Sequence, residues 1–280
     1  YDPLNGIEDL KNGIVKFIGD PNQRIQEDYL RILRYLRFYI QYNKNISHDE
    51  IIIKAIKRNL DGLAKISKER ILEELFKMMK LNNFSKLFED EFCRFIILSI
   101  LPQLRNYSRI KILNKISYKI KKQIDKILLL SILIVDETDN CNFFLYKYQL
   151  SNEDKKRILF IKNSFKNYSK QYLYSKNNLL KLTYLSDKSS VIELLIFLIF
   201  VNPKKIFNIE NLIDYIKEKF QDIEHINRYI TYLENFLRTI KNPKTRSFIV
   251  KIDITQALPE KEKSQAALHN KSKTALYFLT

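Results

Sequence analysis

The scarcity of glycine and proline is the strongest constraint on the fold of this 280-residue chain. Four glycines and six prolines are too few for the many tight turns of a β-sandwich or a β-propeller. Hydrophobic residues make up 45% of the chain, which is enough for a sizeable core. Apolar residues recur at helical spacing, and alternation with a period of two is brief and confined to residues 248–254. The sequence therefore predicts an all-α fold.

The longest apolar runs predict buried helices rather than membrane spans. They cover residues 127–135 and 191–201, and each has about half of the roughly 20 residues that a span needs. The second run also contains Glu193. The first ten residues hold three acids, which is atypical of a signal peptide. We therefore expect no membrane partner and a cytoplasmic location.

Residues of the types that bind metals are few and scattered along the sequence. Cys93 and Cys141 cannot form a disulfide framework, and they fit a reducing compartment. The histidines, His48, His225 and His269, lack the spacing of zinc ligands. The sequence accordingly predicts no metal site.

Positive charge is concentrated in the middle of the chain. The net charge is +17, and residues 100–181 hold 17 basic residues against 6 acidic ones. The same stretch is rich in aromatic residues, among them Tyr107, Tyr118, Tyr146, Tyr148, Phe165, Tyr168, Tyr172 and Tyr174. A basic, aromatic surface fits the phosphates and bases of RNA, whereas the alternative is a lysine-rich face that only increases solubility. The candidate RNA-binding residues are Lys111, Lys115, Lys119, Lys121 and Lys122.

Two polar residues predict where helices begin. Ser47 is followed three residues later by Glu50, which predicts a capping box ahead of an apolar run. Ser67 is the predicted N-cap of a helix over residues 68–81, with Glu69 in the first turn, where its charge suits the helix dipole.

One charged helix face could carry chemistry. Residues 24–42 have apolar residues at helical spacing, and five charged residues fall within an arc of about 120° on the opposite face: Arg24, Glu27, Asp28, Arg31 and Arg34. A carboxylate and a guanidinium three residues apart can accept from and donate to the Watson–Crick edge of a base. The next arginine could hold a phosphate. Spacing alone favours the alternative, a solvated face with ion pairs between residues three apart.

The same run resembles the base-recognition motif EDxxR of the class II tRNA nucleotidyltransferase and poly(A) polymerase family. It stands here as Glu27-Asp28-Tyr29-Leu30-Arg31, followed by Arg34. Two further segments are similar to motifs of that family, in the expected order over residues 1–80. DPLNGIEDL resembles the DxxxGxxDL segment that joins the catalytic head to the neck, through Asp2, Gly6, Asp9 and Leu10. ISKERILEEL resembles the ISxERIxxEL motif that braces the neck helices, through Ser67, Glu69, Arg70 and Glu74.

The resemblance implies an enzyme that transfers nucleotides to an RNA 3′ end, with two Mg²⁺ ions held by two carboxylates of its head. The neck would select CTP or ATP through Asp28 and Arg31, and the helical body and tail would bind the acceptor stem of tRNA. It also implies a connector over residues 1–20, a neck over 21–82 and a body over 83–245. Residues 246–280 hold four of the six alanines, and we expect either a frayed terminus or sequence outside the fold. CCA addition and poly(A) addition share the base-recognition motif, so the sequence does not distinguish between these two activities.

The sequence also departs from the family. The GS motif, the Asp-x-Asp pair that follows it and the RRD-type motif of the head are not found in these 280 residues. Neither the acidic run at 136–139 nor Asp187 follows a Gly-Ser turn. We therefore expect no catalytic residue in this chain, which would be inactive alone. The head would be lost or encoded separately, and the alternative function is a helical RNA-binding module without catalysis, or a degraded gene product.

Overall fold

A computed structural model describes residues 2–44, 47–167 and 175–219 of the chain. All regular elements in these ranges are helices, which confirms the predicted all-α fold. The chain divides between Ile213 and Asp214 into two compact units, and apart from residues 214–219 the account below concerns the first. The predicted domain boundaries after residues 20, 82 and 245 stay predictions, and the tail over 246–280 lies outside the described residues.

The described residues among the first 80 form five short helices. They are α1 (Gly6–Asn12), α2 (Pro21–Glu27), α3 (Arg31–Tyr42), α4 (Glu50–Asn59) and α5 (Lys68–Met79), with a 3-10 helix over Leu60–Lys65 between the last two. Residues 2–20, where we expected at most a remnant of a head, contain α1 and irregular backbone. Helix α2 packs against α4, and α3 packs against α5.

The remaining described residues form a second set of helices. They are α6 (Lys86–Glu89), α7 (Glu91–Ile100), α8 (Tyr118–Lys121), α9 (Lys126–Ile134), α10 (Asn140–Lys147), α11 (Asn152–Asn167), α12 (Lys176–Leu185) and α13 (Lys188–Val201). Short 3-10 helices cover Pro102–Leu104, Tyr107–Asn114 and Pro203–Lys205. A further helix covers residues 206–219.

The two long apolar runs form the centre of this second set, as predicted. Every residue of α9 from Ile127 to Ile134 is buried, and so is nearly every residue of α13 from Val191 to Phe200. Both helices pack against α11. Arg109 closes the end of α9, because its Nη1 donates to the carbonyl oxygens of Ile132 and Val135, at 3.0 and 2.6 Å. Within the described ranges, none of the helices has the length and apolar character that a membrane crossing requires.

One predicted N-cap is confirmed and the other is wrong. The Ser67 side chain accepts from the backbone N–H of Arg70 at 3.4 Å and caps α5. Asp49, rather than Ser47, caps α4, since its carboxylate accepts from the N–H of Ile51 at 2.7 Å. A capping box needs its acid at the third helical position, and Glu50 is instead the first residue of α4.

The single helix predicted over residues 24–42 is also wrong, because the chain breaks at Asp28. Its backbone is extended, with φ −154° and ψ 102°. The Asp28 carboxylate accepts from the N–H of Leu30 at 3.1 Å, a local bond that competes with the helical pattern. Helix α2 therefore ends at Glu27, and α3 begins at Arg31.

The aromatic residues of the basic stretch divide between surface and core. Tyr118 and Tyr146 are 81% and 93% exposed, whereas Tyr148 and Phe165 are 1% and 7% exposed and belong to the core. Tyr107 stacks on Phe88, with ring centroids 5.3 Å apart. Tyr168, Tyr172 and Tyr174 lie outside the described residues. Fewer aromatic side chains are therefore available to RNA than the sequence suggested.

Candidate functional site

The charged residues predicted to share one helix face come together at the turn between α2 and α3. Glu27, the last residue of α2, is the centre of the first group. Its Oε2 accepts from Nη1 of Arg24 at 2.5 Å and from Nη1 of Arg31 at 2.6 Å. The same Arg31 nitrogen donates to the carbonyl oxygen of Arg24 at 2.6 Å. The guanidinium of Arg31 is thus held against the end of α2.

Asp28 is the centre of the second group. Its Oδ2 accepts from Nη2 of Arg70 at 3.0 Å, and Nη1 of Arg34 lies 3.8 Å away. Asp28 does not pair with Arg31, so the expected ion pair between residues three apart is found instead between Arg24 and Glu27. The side chains of Asp28 and Arg31 are 22% and 26% exposed. Each is held by a neighbour and still reaches solvent.

Glu74 of α5 connects this site to the rest of the first helices. Its side chain is 2% exposed and lies 3.0 Å from Nε of Arg37, 2.8 Å from Nζ of Lys77 and 3.8 Å from Nε of Arg34. Burial alone raises the pKa of this carboxyl, but the hydrogen bonds from Lys77 and Arg37 outweigh burial and lower it. A buried carboxylate with these partners ties α5 to α3.

The residues predicted to brace the neck therefore have distinct positions. Ser67 caps α5, Arg70 reaches across to Asp28, and Glu74 holds Arg37. Glu69 lies exposed in the first turn of α5, as expected for an acid near a helix N-terminus. Sequence reasoning did not identify the part played by Arg37, although it lies three residues after Arg34.

A contact between Tyr29 and Gly62 was also missed. A Cβ atom at Gly62 would lie 2.1 Å from the Tyr29 ring, so only glycine fits beneath this aromatic residue of the turn. Nζ of Lys65 also lies over the Tyr29 ring, 5.7 Å from its centroid. These contacts fix the turn against the 3-10 helix that follows α4.

The predicted connector residues organise α1. The Asp2 carboxylate accepts from the N–H groups of Ile7 and Gly6, at 2.8 and 3.0 Å, and these bonds lower the pKa of Asp2. Asp9 pairs with Lys16 at 2.6 Å. Five apolar side chains of this segment are between 40% and 64% exposed: Leu4, Ile7, Leu10, Ile14 and Ile18.

The five candidate RNA-binding lysines are all exposed. Lys111 lies in the 3-10 helix over Tyr107–Asn114, and the others follow it as far as the end of α8: Lys115, Lys119, Lys121 and Lys122. Tyr118 is exposed among them, and residues 100–124 contain no acid. We call residues 111–122 the lysine segment. Its charge suits phosphate contact.

Two acids of the second set of helices, Asp136 and Asp187, have structural partners. Asp136 accepts from Arg105 and Asn106, at 2.9 and 3.1 Å. Although burial raises its pKa, hydrogen bonds from Thr138, Asn106 and Arg105 lower it to about 2. Asp187 caps α13, since it accepts from the N–H of Ser190 at 2.8 Å. Each of these two carboxylates therefore has a role in the fold.

Similarity to known proteins covers part of the chain. Residues 49–106 match a family model described as the probable RNA and SrmB-binding site of polymerase A. The human protein named CCA tRNA nucleotidyltransferase 1, mitochondrial, is 52% identical over 88 residues, which are 31% of this chain and 20% of that protein. The mouse protein of the same name is 36% identical over 167 residues, 58% of this chain and 37% of that protein. The CCA-adding enzyme of Lactobacillus helveticus is 49% identical over 77 residues, 28% of this chain and 19% of that enzyme.

The matched regions are small parts of these relatives. The chain spans between 19% and 37% of their lengths. The segment that matches the family model includes Ser67, Arg70 and Glu74, whereas Asp28 and Arg31 precede it and the lysine segment follows it. The roles of these last residues therefore rest on their geometry and on their motif.

The Glu74 cluster leads to a prediction about stability. We expect Glu74→Gln to lower the free energy of unfolding by about 1–3 kcal/mol at neutral pH, because Arg37 and Lys77 lose a buried charged partner. A carboxyl whose folded pKa is lowered stabilises the fold while it is ionised. The difference between wild type and variant should therefore be full above the ordinary pKa of 4.5 and shrink as the pH falls below it.

Urea unfolding over this pH range measures both effects. The matched control is Glu73→Gln, which changes the exposed neighbouring acid and should alter stability by less than about 0.5 kcal/mol. Equal losses in the two variants, or a difference that does not depend on pH, would contradict the role given to Glu74.

Proposed function

Because the chain belongs to the tRNA nucleotidyltransferase and poly(A) polymerase family, we propose that it supplies base recognition and RNA binding to an enzyme that adds nucleotides to RNA 3′ ends. The observation that carries this proposal is the contact between two motifs that lie 42 residues apart. Arg70 of the neck-bracing motif donates to Asp28 of the base-recognition motif at 3.0 Å. The contact orients the carboxylate that would read the incoming base.

The chemistry of Asp28 and Arg31 suits two of the four bases. Cytosine and adenine each present an amino group beside a ring nitrogen that accepts. Uracil and guanine present a carbonyl beside an N–H instead. A carboxylate accepts from the amino group and a guanidinium donates to the ring nitrogen. This pair would therefore favour CTP and ATP, which are the substrates expected of a CCA-adding enzyme.

The neighbouring arginines would complete the nucleotide site. Arg31 uses its Nη1 for both of its bonds to α2, so its other nitrogens can face a base. Arg34 lies 3.8 Å from Asp28 and has a side chain that is 41% exposed, which suits a phosphate contact. Arg24 and Glu27 would hold Arg31 in place rather than touch the nucleotide.

The described residues do not fit the two Mg²⁺ ions that nucleotidyl transfer in this family implies. A two-metal site needs convergent carboxylates, and the cluster of possible metal ligands among the described residues combines His48, Asp90 and Cys93. Mg²⁺ and its carboxylates would belong to a catalytic head. The exposed apolar side chains of residues 4–18 offer a surface on which such a head could pack.

The alternative function is a helical RNA-binding module without catalysis. The observation that favours it is the exposed lysine segment, which does not depend on the base-recognition residues. Under either function the partner is tRNA or another RNA 3′ end. A cytoplasmic location stays a prediction, and the human and mouse relatives carry the word mitochondrial in their names.

The first prediction from the proposed function distinguishes an enzyme part from an RNA-binding module. The purified chain alone should not incorporate labelled CTP or ATP into tRNA that lacks its 3′ end, because the GS and Asp-x-Asp motifs that carry the catalytic carboxylates of the family are not found in its sequence. Addition of a family head, fused or as a separate chain, should restore Mg²⁺-dependent incorporation. Incorporation by the chain alone would contradict the prediction, and binding of RNA without any rescue by a head would favour the module.

The second prediction concerns base selection in the enzyme complete with its head. Asp28→Asn combined with Arg31→Gln should remove the preference for CTP and ATP over UTP and GTP, a loss of about 1–3 kcal/mol or roughly 5- to 160-fold. Asparagine at position 28 can still accept from the N–H of Leu30, so the turn should persist. Single-nucleotide incorporation with each triphosphate measures the preference.

A matched control removes another charged pair of similar type. Glu50→Gln combined with Lys54→Gln breaks an exposed ion pair of α4 with an N–O distance of 3.4 Å, and it should leave base preference unchanged. If the Asp28 and Arg31 variant also keeps its preference, the two residues only form a solvated charged face and the site assignment fails.

The third prediction locates the RNA surface. Neutralising Z phosphates makes the logarithm of the affinity fall with the logarithm of salt, with a slope of about −0.7Z to −0.9Z. Reversing four charges of the lysine segment should weaken tRNA binding and reduce this slope, which fluorescence anisotropy over a salt series measures. The four substitutions are Lys111→Glu, Lys115→Glu, Lys119→Glu and Lys122→Glu.

Two variants with the same change of charge serve as controls. One reverses four cations near the end of the described residues: Lys204, Lys205, Lys217 and Lys219. The other reverses four exposed cations of the segment that matches the family model: Lys54, Lys57, Arg58 and Lys65. Equal losses in all three variants would contradict a localised surface, and a larger loss in the last would place RNA on residues 49–106 instead.

A further inference from the structure

Three potential metal ligands meet between α3, the residues before α4 and the first turn of α7. Nε2 of His48 lies 3.1 Å from Oδ1 of Asp90 and 3.8 Å from Sγ of Cys93. All three ligand atoms lie within 4.8 Å of one another. Cys93 is fully buried, the His48 side chain is 5% exposed and the Asp90 side chain is 29% exposed. The cluster is thus closed on the sulfur side and open on the carboxylate side.

We propose that His48, Asp90 and Cys93 bind a zinc ion that fastens α7 to the segment between α3 and α4. Zinc binds imidazole nitrogen, thiolate sulfur and carboxylate oxygen at about 2.0–2.3 Å in a tetrahedral arrangement, so its ligand atoms lie roughly 3.3–3.5 Å apart. The observed separations of 3.1 and 3.8 Å from Nε2 are close to these values. The Asp90 oxygen and Sγ of Cys93, which lie within 4.8 Å of each other, need to approach by no more than about 1.5 Å. A ligand set with sulfur and imidazole favours zinc over magnesium or calcium.

The surroundings of His48 hold its ring in the orientation that a metal requires. Its Nδ1 lies 2.8 Å from the hydroxyl of Tyr35, and its ring stacks on Tyr39 and meets the edge of Phe92. Metal-binding histidines usually have their second nitrogen hydrogen-bonded in this way. With zinc on Nε2, the proton moves to Nδ1, which then donates to the Tyr35 oxygen.

Charge balance also suits a divalent cation. Oδ1 of Asp90 accepts from the N–H of Cys93 at 2.7 Å, which places the carboxylate beside the sulfur. Zinc would replace the thiol proton, which leaves to solvent, and one carboxylate and one thiolate would neutralise the ion. A neutral assembly suits this buried position, and water could take the fourth position beside Asp90.

This inference departs from the sequence-based expectation of no metal site. The three ligands are 45 residues apart at their widest, and the spacing of histidines alone could not reveal them. The site is independent of the proposed nucleotide site, since it shares no residue with it.

The test uses the full chain, freed of metal by a chelator and titrated with Co²⁺ as a spectroscopic probe. We expect one cobalt per chain, with thiolate-to-cobalt charge-transfer absorption in the near ultraviolet and the visible bands of tetrahedral cobalt. Zinc should displace the cobalt and raise the melting temperature of the chain. Wild-type protein that shows no charge-transfer band would overturn the proposal, whatever the variants do.

The two cysteines provide a matched pair of variants. Cys93 and Cys141 are both fully buried, so truncating either one leaves a similar cavity. Cys93→Ala should remove the charge-transfer band and weaken zinc binding at least about tenfold, whereas Cys141→Ala should retain both. Cys93→Ser, which keeps the size of the side chain, serves if Cys93→Ala fails to fold by circular dichroism. A band that survives the loss of Cys93 would refute the assignment.

Discussion

The buried carboxylate of Glu74 is the interaction on which the candidate site depends. A charge removed from water is costly unless several donors surround it, and here Arg37, Lys77 and Arg34 do so. Two of these residues belong to α3, whose first turn also carries Arg31. The position of α3 relative to α5 is therefore set by charge as well as by apolar packing, and the turn at Asp28 lies where α3 and α5 meet.

Much of the fold could be predicted from the sequence because helical periodicity reports which side of a helix is buried. The two runs that became α9 and α13 are apolar on nearly every side, and nearly all of their residues are buried. The cap at Ser67 was also predictable, since a single side chain and the next three backbone groups determine it. Both features depend only on residues that are close together in the sequence.

The break at Asp28 could not be predicted in this way. Ile25 on one side of the break and Ile32 and Leu36 on the other are all fully buried, so the apolar pattern continues across two separate helices. At the break, the backbone N–H of Leu30 donates to the Asp28 carboxylate, and the periodicity of apolar residues does not report such a bond. Composition likewise could not predict which aromatic residues are buried, since Tyr146 is exposed and Tyr148, two residues later, is buried.

Under the proposed function, the double role of Asp28 in the turn and in base recognition has a consequence for how base selectivity would diverge among related chains. Its carboxylate shapes the turn through Leu30 and meets Arg70, so most replacements there would disturb backbone and selectivity together. Arg31 and Arg34 lie within a regular helix, where almost any side chain is compatible with the backbone. Evolutionary drift in nucleotide preference should therefore accumulate at positions 31 and 34, while position 28 is restricted to residues that can still form the turn.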